Sequence, residues 1–159
     1  MDRSSIQIEF VNHACVVFEA NGVRLACDPW LTGSAFLDGW DLLVPTAEKI
    51  VDLKLTHLWI SHEHPDHFSP RDLLAIPEDA RSAMTVLYQD TADGKVVQFL
   101  RAKGFTVTVL PPHTAVEIAP EVSVMCGPVG ADSWLSFKAN GQSILNLNDC
   151  ITGQDIEIF

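Results

Sequence analysis

The chain has 159 residues, of which 47% are hydrophobic, so it is long and apolar enough to form one folded domain with its own core. Its 21 acidic and 10 basic residues give a formal net charge of −11, which argues against a surface that binds nucleic acid. The first residues lack the basic segment and apolar run of a secretory signal, and no apolar stretch is long enough to cross a bilayer. We therefore predict a cytoplasmic protein that does not bind membranes.

The N-terminal third alternates apolar and polar residues over 6–10, 14–19 and 23–27, which predicts three antiparallel strands with a turn at Asn21-Gly22. The segment 29–45 has no clear period and is a candidate substrate loop. Its aromatic residues Trp30, Phe36 and Trp40 are candidates to line a pocket, although such residues also pack on their own domain or on a partner.

The middle of the chain reads as alternating strands and helices. Strands are predicted over 58–61, 84–88 and 105–110, and helices over 70–76 and 91–103. Ser69 and Pro70 suit the start of the first helix, and Gly104 suits the end of the second.

The C-terminal part returns to strands, which we predict over 115–118, 122–126, 134–138 and 143–147. Asn140-Gly141 is a turn between the last two. Because no repeat or linker interrupts this order, a single domain over 1–159 is the simplest division.

A dense group of potential metal ligands follows the strand predicted at 58–61. His62 and His64 are two residues apart, so at the mouth of an extended strand both side chains point the same way and can bind one metal ion. Pro65 turns the chain, so Asp66 and His67 face the same cavity from another direction and could hold a second ion. Imidazole and carboxylate ligands suit Zn²⁺, and also Mn²⁺ or iron.

Two further titratable residues are weaker candidates. Glu63 lies between two ligands and would point away from them, so we expect a solvated carboxylate or one that supports a ligand by hydrogen bonding. His113 lies in a proline turn and is expected to be a surface loop residue.

The pattern His62-x-His64-x-Asp66-His67 resembles the signature of the metallo-β-lactamase fold, the superfamily of binuclear metallohydrolases. The segments Asp28-Pro29-Trp30 and Asn146-Leu147-Asn148-Asp149 fit the same pattern. The sequences of these segments, especially 27–31 and 61–68, most resemble the branch with ascorbate-6-phosphate lactonase-like and CMP-N-acetylneuraminate hydroxylase-like proteins. The resemblance implies an α/β (α+β) protein with an αββα sandwich, of which only the N-terminal half to two-thirds is present.

The resemblance also implies a set of metal ligands. His62 and His64 would hold one ion, Asp66 and His67 the other, and Asp149 would bridge the two. Asp66 would in addition be catalytic, by steering the water that attacks the substrate. Asp28 has two equal interpretations, since it either accepts a hydrogen bond from a ligand imidazole or is an ordinary turn residue before proline.

The chain departs from the family pattern at two ligand positions. A third histidine is expected within 126–133, where none occurs, and Asp132 is either its substitute or a turn residue. The last histidine of the family comes from a second half of the fold, and the chain ends soon after Asp149. We therefore expect that a missing C-terminal segment or a partner chain completes the sheet and the site, and we predict a homodimer.

The four cysteines are scattered singly, which indicates reduced, partly buried thiols and no disulfide framework. Cys150 adjoins Asp149, so it has either a packing role or a role as a metal ligand.

Three functions of different classes remain. The first is a Zn²⁺ or Mn²⁺ hydrolase with two metal ions that activate water for attack on a small lactone, ester or phosphoester. The second is a redox protein in which the same ligands bind iron. The third is a degenerate domain that binds metal weakly and acts as a binding or regulatory module. The substrate depends on loop shape and is not predicted.

Overall fold

A computed structural model of the protein describes residues 5–150, and its larger sheet has six strands in the order β1-β2-β3-β6-β7-β8. The strands of this first sheet are β1 Gln7–Asn12, β2 Cys15–Ala20, β3 Val23–Cys27, β6 His57–Ile60, β7 Thr85–Gln89 and β8 Thr106–Leu110. The predicted antiparallel meander forms β1, β2 and β3, whereas β3, β6, β7 and β8 are parallel.

Three short α-helices and one 3₁₀ helix connect these strands. Their bounds are 3₁₀ Ile50–Leu53, α1 Pro70–Ala75, α2 Glu78–Ala83 and α3 Lys95–Ala102. Helix α1 begins as predicted, because the Ser69 hydroxyl accepts a hydrogen bond from the Asp72 N–H. The helix predicted over 91–103 starts only at Lys95, since Gly94 has a left-handed backbone that an α-helix does not tolerate. Helix α2 was not predicted.

The second sheet contains the four antiparallel strands that end the described chain, in the order β12-β11-β10-β9. They are β9 Val116–Ala119, β10 Val122–Val129, β11 Asp132–Ala139 and β12 Gln142–Asn146, and the small hairpin β4 Ser34–Ala35 and β5 Trp40–Asp41 lies in the candidate substrate loop. Asp132 pairs with Val129 as the first residue of β11, directly after the turn. The two-residue turn before it needs only Gly130 and Ala131.

Two apolar cores define three layers. One core packs α1 and α3 against the first sheet, through Leu73, Val96 and Leu100. The other lies between the sheets and contains Trp59 and Phe137. Within residues 5–150, every α-helix packs on the first sheet, so the αββα sandwich is confirmed without its second helical layer.

The C-terminal ends of three strands lie at the same end of the first sheet. The strands β1 and β3 run in the same direction because each is antiparallel to β2, and β6 is parallel to β3. The residues after these three strands are His13, Asp28 and Ser61, which therefore meet at the same edge. Across residues 5–150 no helix combines the length and apolar character that crossing a bilayer requires.

Candidate metal centre

The loop after β6 brings together the two histidines that were predicted to share an ion. His62 Nε2 lies 2.9 Å from His64 Nδ1, and the two ring centroids are 4.4 Å apart. His62 is buried, whereas His64 is exposed at the mouth of the site. The two rings therefore lie together, and their sharing of one metal ion stays a prediction.

The turn through Pro65 places Asp66 and His67 beside them. The backbone N–H groups of His67 and Phe68 both donate to the carbonyl of His64, which holds this turn closed. Asp66 Oδ2 lies 3.3 Å from His67 Nε2, and both side chains are buried.

Asp149 follows the end of β12 and lies beside the same residues. Its Oδ2 lies 3.2 Å from His67 Nε2, and ligand atoms of His62, His67 and Asp149 all lie within 4.8 Å of one another. Asp149 is thus placed between the two halves of the motif, where the predicted bridging ligand would lie.

Asp28 is fully buried behind the motif and accepts three hydrogen bonds. Its Oδ1 accepts from the Ser61 N–H at 2.8 Å, and its Oδ2 accepts from the Ser61 hydroxyl at 2.8 Å and from His67 Nδ1 at 3.2 Å. This is the geometry of a carboxylate that orients a ligand imidazole, and it favours that interpretation of Asp28 over an ordinary turn residue.

These hydrogen bonds assign the protons of both buried imidazoles. The His67 Nδ1–H donates to Asp28, so Nε2 carries the lone pair when the ring is neutral. The Ser61 hydroxyl donates its hydrogen bond to Asp28. It can therefore only accept a hydrogen bond from His62 Nδ1, which lies 2.9 Å away and must carry the proton. Both Nε2 atoms therefore carry a lone pair when the rings are neutral, and that of His62 faces His64 Nδ1 at 2.9 Å.

Charge around His67 favours its protonated form in the metal-free protein. Burial lowers the pKa of His67, but the hydrogen bond to Asp28 and the charges of Asp28, Asp66 and Asp149 raise it more, and the net shift is upward. The site is therefore built to hold a positive charge at this point.

Asp132 contacts His62 from the side of the ring opposite His64. Its Oδ1 lies 3.1 Å from His62 Nδ1 and accepts a hydrogen bond from the Ser133 N–H, and its Oδ2 is buried without a hydrogen bond. Burial raises the pKa of Asp132, but the hydrogen bonds from His62 and Ser133 lower it by more, so the net shift is downward. Since it faces Nδ1, Asp132 supports the imidazole instead of taking the place of the third histidine.

The structure does not support a role as metal ligand for three further residues. Glu63 is exposed, and His113 is exposed in a turn, with its ring 5.7 Å from that of Trp134. Cys150 is buried, and burial together with the charges of Asp132 and Asp149 raises the pKa of its thiol to about 12, so the packing role is favoured.

The structure adds His13, which the sequence analysis did not identify. Its Nε2 lies 3.1 Å from Asp66 Oδ2, and its ring stands edge-on to Trp30 with centroids 5.1 Å apart. The only sequence signal is its place in the two-residue turn between β1 and β2. Its proximity to the motif depends on β3 pairing with β6, which places the ends of β1 and β6 at the same end of the sheet and which periodicity does not predict.

The donor atoms fit a divalent metal ion. His67 Nε2 is buried and makes no hydrogen bond, although carboxylate oxygens of Asp66 and Asp149 lie 3.3 and 3.2 Å away, and Asp66 Oδ1 is also buried without a partner. Two ligands bound to one Zn²⁺ in tetrahedral geometry are about 3.4 Å apart. Within the described residues, two groups meet the spacing for a metal ion: His13, Asp66 and His67, and His62, His67 and Asp149.

A cavity of about 1010 Å³ opens beside this centre. It is lined by His13 at one end and by Trp30, Trp40, Leu43 and Val44 from the candidate substrate loop. Phe36 does not line it, but packs 4.9 Å from the ring of Trp40 and 6.0 Å from that of His64. The loop thus lies over the ligand residues, as predicted.

Comparisons with known proteins identify relatives of this chain. The zebrafish (Danio rerio) cytidine monophosphate-N-acetylneuraminic acid hydroxylase is 28% identical over 159 aligned residues, which cover 94% of this chain and 27% of the relative. The chain thus spans about a quarter of the length of that relative.

Solved structures show the same fold. CmlA, a diiron β-hydroxylase from Streptomyces venezuelae, superposes with a TM-score of 0.67 at 23% identity, over 89% of this chain and 29% of that one. Igni18, a metallo hydrolase from the archaeon Ignicoccus hospitalis, superposes with a TM-score of 0.61 at 19% identity, over 87% of this chain and 58% of that one.

A family model described as a beta-lactamase superfamily domain matches residues 7–145, which is most of the chain. Together with the metal-ligand motif at the edge of the first sheet, this match shows that the chain belongs to the β-lactamase superfamily and has the metallo-β-lactamase fold.

Proposed function

We propose that this chain holds a centre for two divalent metal ions and hydrolyses a small lactone, ester or phosphoester. The observation that carries the proposal is the buried Nε2 of His67, which has no hydrogen bond and lies between the carboxylates of Asp66 and Asp149. An imidazole nitrogen so close to two carboxylates is stabilised by a positive charge between them, which a proton supplies in the metal-free protein and a metal ion would supply when bound.

Each ligand residue has a defined part in this centre. His62 and His64 would hold one ion, Asp66 and His67 the other, and Asp149 would face both. Bound Zn²⁺ or Mn²⁺ would supply Lewis-acid polarisation of the substrate and activation of water. Asp28 and Ser61 fix the ring orientation of His67 and His62, which reduces the reorganisation required when the substrate reacts.

Asp66 is suited to a second role in moving a proton. Its Oδ2 faces His13 and His67, whereas Oδ1 is buried without a hydrogen bond and remains an available acceptor. A carboxylate with one oxygen committed and one free can orient an attacking water and accept its proton.

The cavity beside the centre favours a substrate with an apolar body. Trp30 and Trp40 offer aromatic surface, and His13 stands where the cavity meets the ligand residues. A bound molecule could therefore bury an apolar group in the cavity and present a carbonyl or phosphoryl group to the metal ligands.

An iron-dependent redox reaction is a second candidate. It is favoured by the similarity to a cytidine monophosphate-N-acetylneuraminic acid hydroxylase and to a diiron β-hydroxylase, and by ligands that are all nitrogen or oxygen, which also suit iron. Loop shape and metal identity, not the fold, separate these two chemistries.

Metal content tests both candidates. The chain would be purified without added metal and analysed by inductively coupled plasma mass spectrometry, followed by hydrolysis assays with a lactone, an aryl ester and an aryl phosphodiester. Near two Zn²⁺ or Mn²⁺ ions per chain with hydrolysis supports the proposal, and iron without hydrolysis supports the redox candidate. A chain that binds no metal even after reconstitution contradicts both, and favours a degenerate binding module.

A further inference from the structure

We propose that His13 is a direct metal ligand, and that it supplies the second imidazole for the ion held by Asp66 and His67. This inference rests on the proposed metal centre. It assigns a role to a residue outside the ligand motif, contributed by the turn between β1 and β2.

The three donor atoms have the spacing of ligands around one ion. Asp66 Oδ2 lies 3.1 Å from His13 Nε2 and 3.3 Å from His67 Nε2, and the three ligand atoms all lie within 4.8 Å of one another. Ligands of a tetrahedral Zn²⁺ are about 3.4 Å apart. The distances from Asp66 Oδ2 to the two imidazole nitrogens are thus close to the separation of two ligands on one ion.

The state of each donor also fits a cation. His67 Nε2 is buried without a hydrogen bond, and its ring is held by the donation from Nδ1 to Asp28. Asp66 Oδ1 is buried and unpartnered as well. Two neutral imidazoles and one carboxylate form a ligand set that binds catalytic Zn²⁺ in other proteins and leaves a fourth position open.

The fold holds His13 in place for this role. The residue has a left-handed backbone with φ of 46°, a conformation that costs energy for any residue with a Cβ atom and that is concentrated at functional sites. Its ring packs edge-on against Trp30, and the next two residues of that loop donate their N–H groups to the buried Asp72 carboxylate. A third of the His13 side chain stays exposed toward the cavity, so the ion would be reachable by substrate.

The test compares metal binding by His13→Asn and His13→Ala with the wild-type chain. Asparagine tolerates the left-handed backbone, so His13→Asn removes the imidazole while preserving the turn. His113→Ala is the matched control, because His113 is also a turn histidine with a positive φ, of 53°, and lies away from the ligand residues. Zn²⁺ affinity would be measured by competition with a chromophoric chelator, and Co²⁺ coordination by visible absorption.

We expect two ions per wild-type chain, and we expect His13→Asn to weaken one of them by at least about tenfold, as loss of metal-site residues does. The Co²⁺ bands should change at that site, whereas His113→Ala should leave both ions unchanged. Circular dichroism of each metal-free variant monitors folding. If His13→Ala does not fold, the metal affinity of His13→Asn alone tests the role of His13.

Retention of both ions by His13→Asn, with unchanged affinity and unchanged Co²⁺ bands, would overturn the assignment of His13 while leaving the metal centre intact. A wild-type chain that binds no ion would instead overturn the metal centre itself, and the role of His13 with it.

Discussion

Asp28 Oδ2 accepts a hydrogen bond from His67 Nδ1 at 3.2 Å while both side chains are buried. The same oxygen accepts a hydrogen bond from the Ser61 hydroxyl, which in turn contacts His62 Nδ1. One carboxylate therefore sets the orientation of two imidazoles that are proposed to bind different metal ions. A change at Asp28 should affect both metal ions, although Asp28 itself would bind neither.

Replacing Asp28 with asparagine tests this coupling. Asparagine keeps the size of the side chain and tolerates the positive φ of 42° at this position, but it removes the charge that orients His67. We expect the affinity for metal to fall by about 10- to 100-fold at both sites, the range observed when such supporting groups are lost. The measurement is Zn²⁺ titration against a competing chelator.

The control for Asp28 is Asp93→Asn, which removes an exposed carboxylate that pairs with Lys95 away from the site. Unchanged Zn²⁺ affinity in Asp28→Asn would show that the ligand imidazoles keep their orientation without this carboxylate.

Single ligand substitutions should have separable effects on metal content. His62→Ala or Asp149→Ala should abolish tight binding of one or both ions, because each removes a donor close to His67. His113→Ala should bind as much metal as the wild type, since His113 packs against Trp134 on another part of the surface. Metal per chain after gel filtration gives the comparison, and equal losses in all three variants would refute the ligand assignment.

The positions of most strands and the main metal motif could be predicted because both are encoded locally. Alternation identified β1 to β3, and the two-residue spacing of His62 and His64 already implied a shared direction. The spacing of Asp66 and His67 after a proline was informative for the same reason.

The parts that were missed depend on contacts between distant segments. His13 is 53 residues from Asp66 in sequence, and only the strand order of the first sheet brings it there. The sequence left Asp132 as either a substitute ligand or a turn residue, because its contact with the distant His62 is formed only in the folded chain. Helix α2 is short and has no buried residue, so it lacks the apolar periodicity by which helices are recognised.

The candidate substrate cavity should control substrate affinity without affecting metal content. Trp40 lines the cavity and is half exposed, so its removal should cost little folding stability. We expect Trp40→Ala to raise the KM for an ester with a large apolar acyl group by about tenfold, corresponding to loss of aromatic contact area, with metal content unchanged. Steady-state kinetics with a long-chain and an acetyl ester give the test, and equal KM changes for the two esters would argue against an apolar subsite.

A pH effect on stability should come from His57, at the start of β6. Burial lowers the pKa of His57, so the unfolded chain binds a proton below about pH 6.5 that the folded chain binds only at lower pH. The free energy of unfolding should therefore fall as the pH decreases from 7 to 5, and His57→Gln should lose less of it. Urea unfolding of both proteins in the presence of a chelator isolates this difference, and parallel pH curves would exclude a contribution from His57.

Self-association remains a prediction, and the structure indicates the surface to test. Phe10 and Ile8 pair with Val16 and Phe18 across β1 and β2, so they share the face of the first sheet that packs on the second sheet. Both are largely exposed, with 70% of Phe10 accessible, because the second sheet does not cover the edge formed by β1. Exposed apolar side chains at a sheet edge favour association.

We therefore expect the chain to sediment as a dimer at micromolar concentration and Phe10→Glu to shift it toward the monomer, since a charge there would be buried without a partner in the interface. Leu74→Glu is the matched control, because Leu74 is exposed on α1, which packs on the opposite face of the same sheet. Sedimentation velocity on the three proteins decides the matter. A monomeric wild-type chain, or a dimer that Leu74→Glu disrupts as strongly as Phe10→Glu, would show that this edge is not the interface.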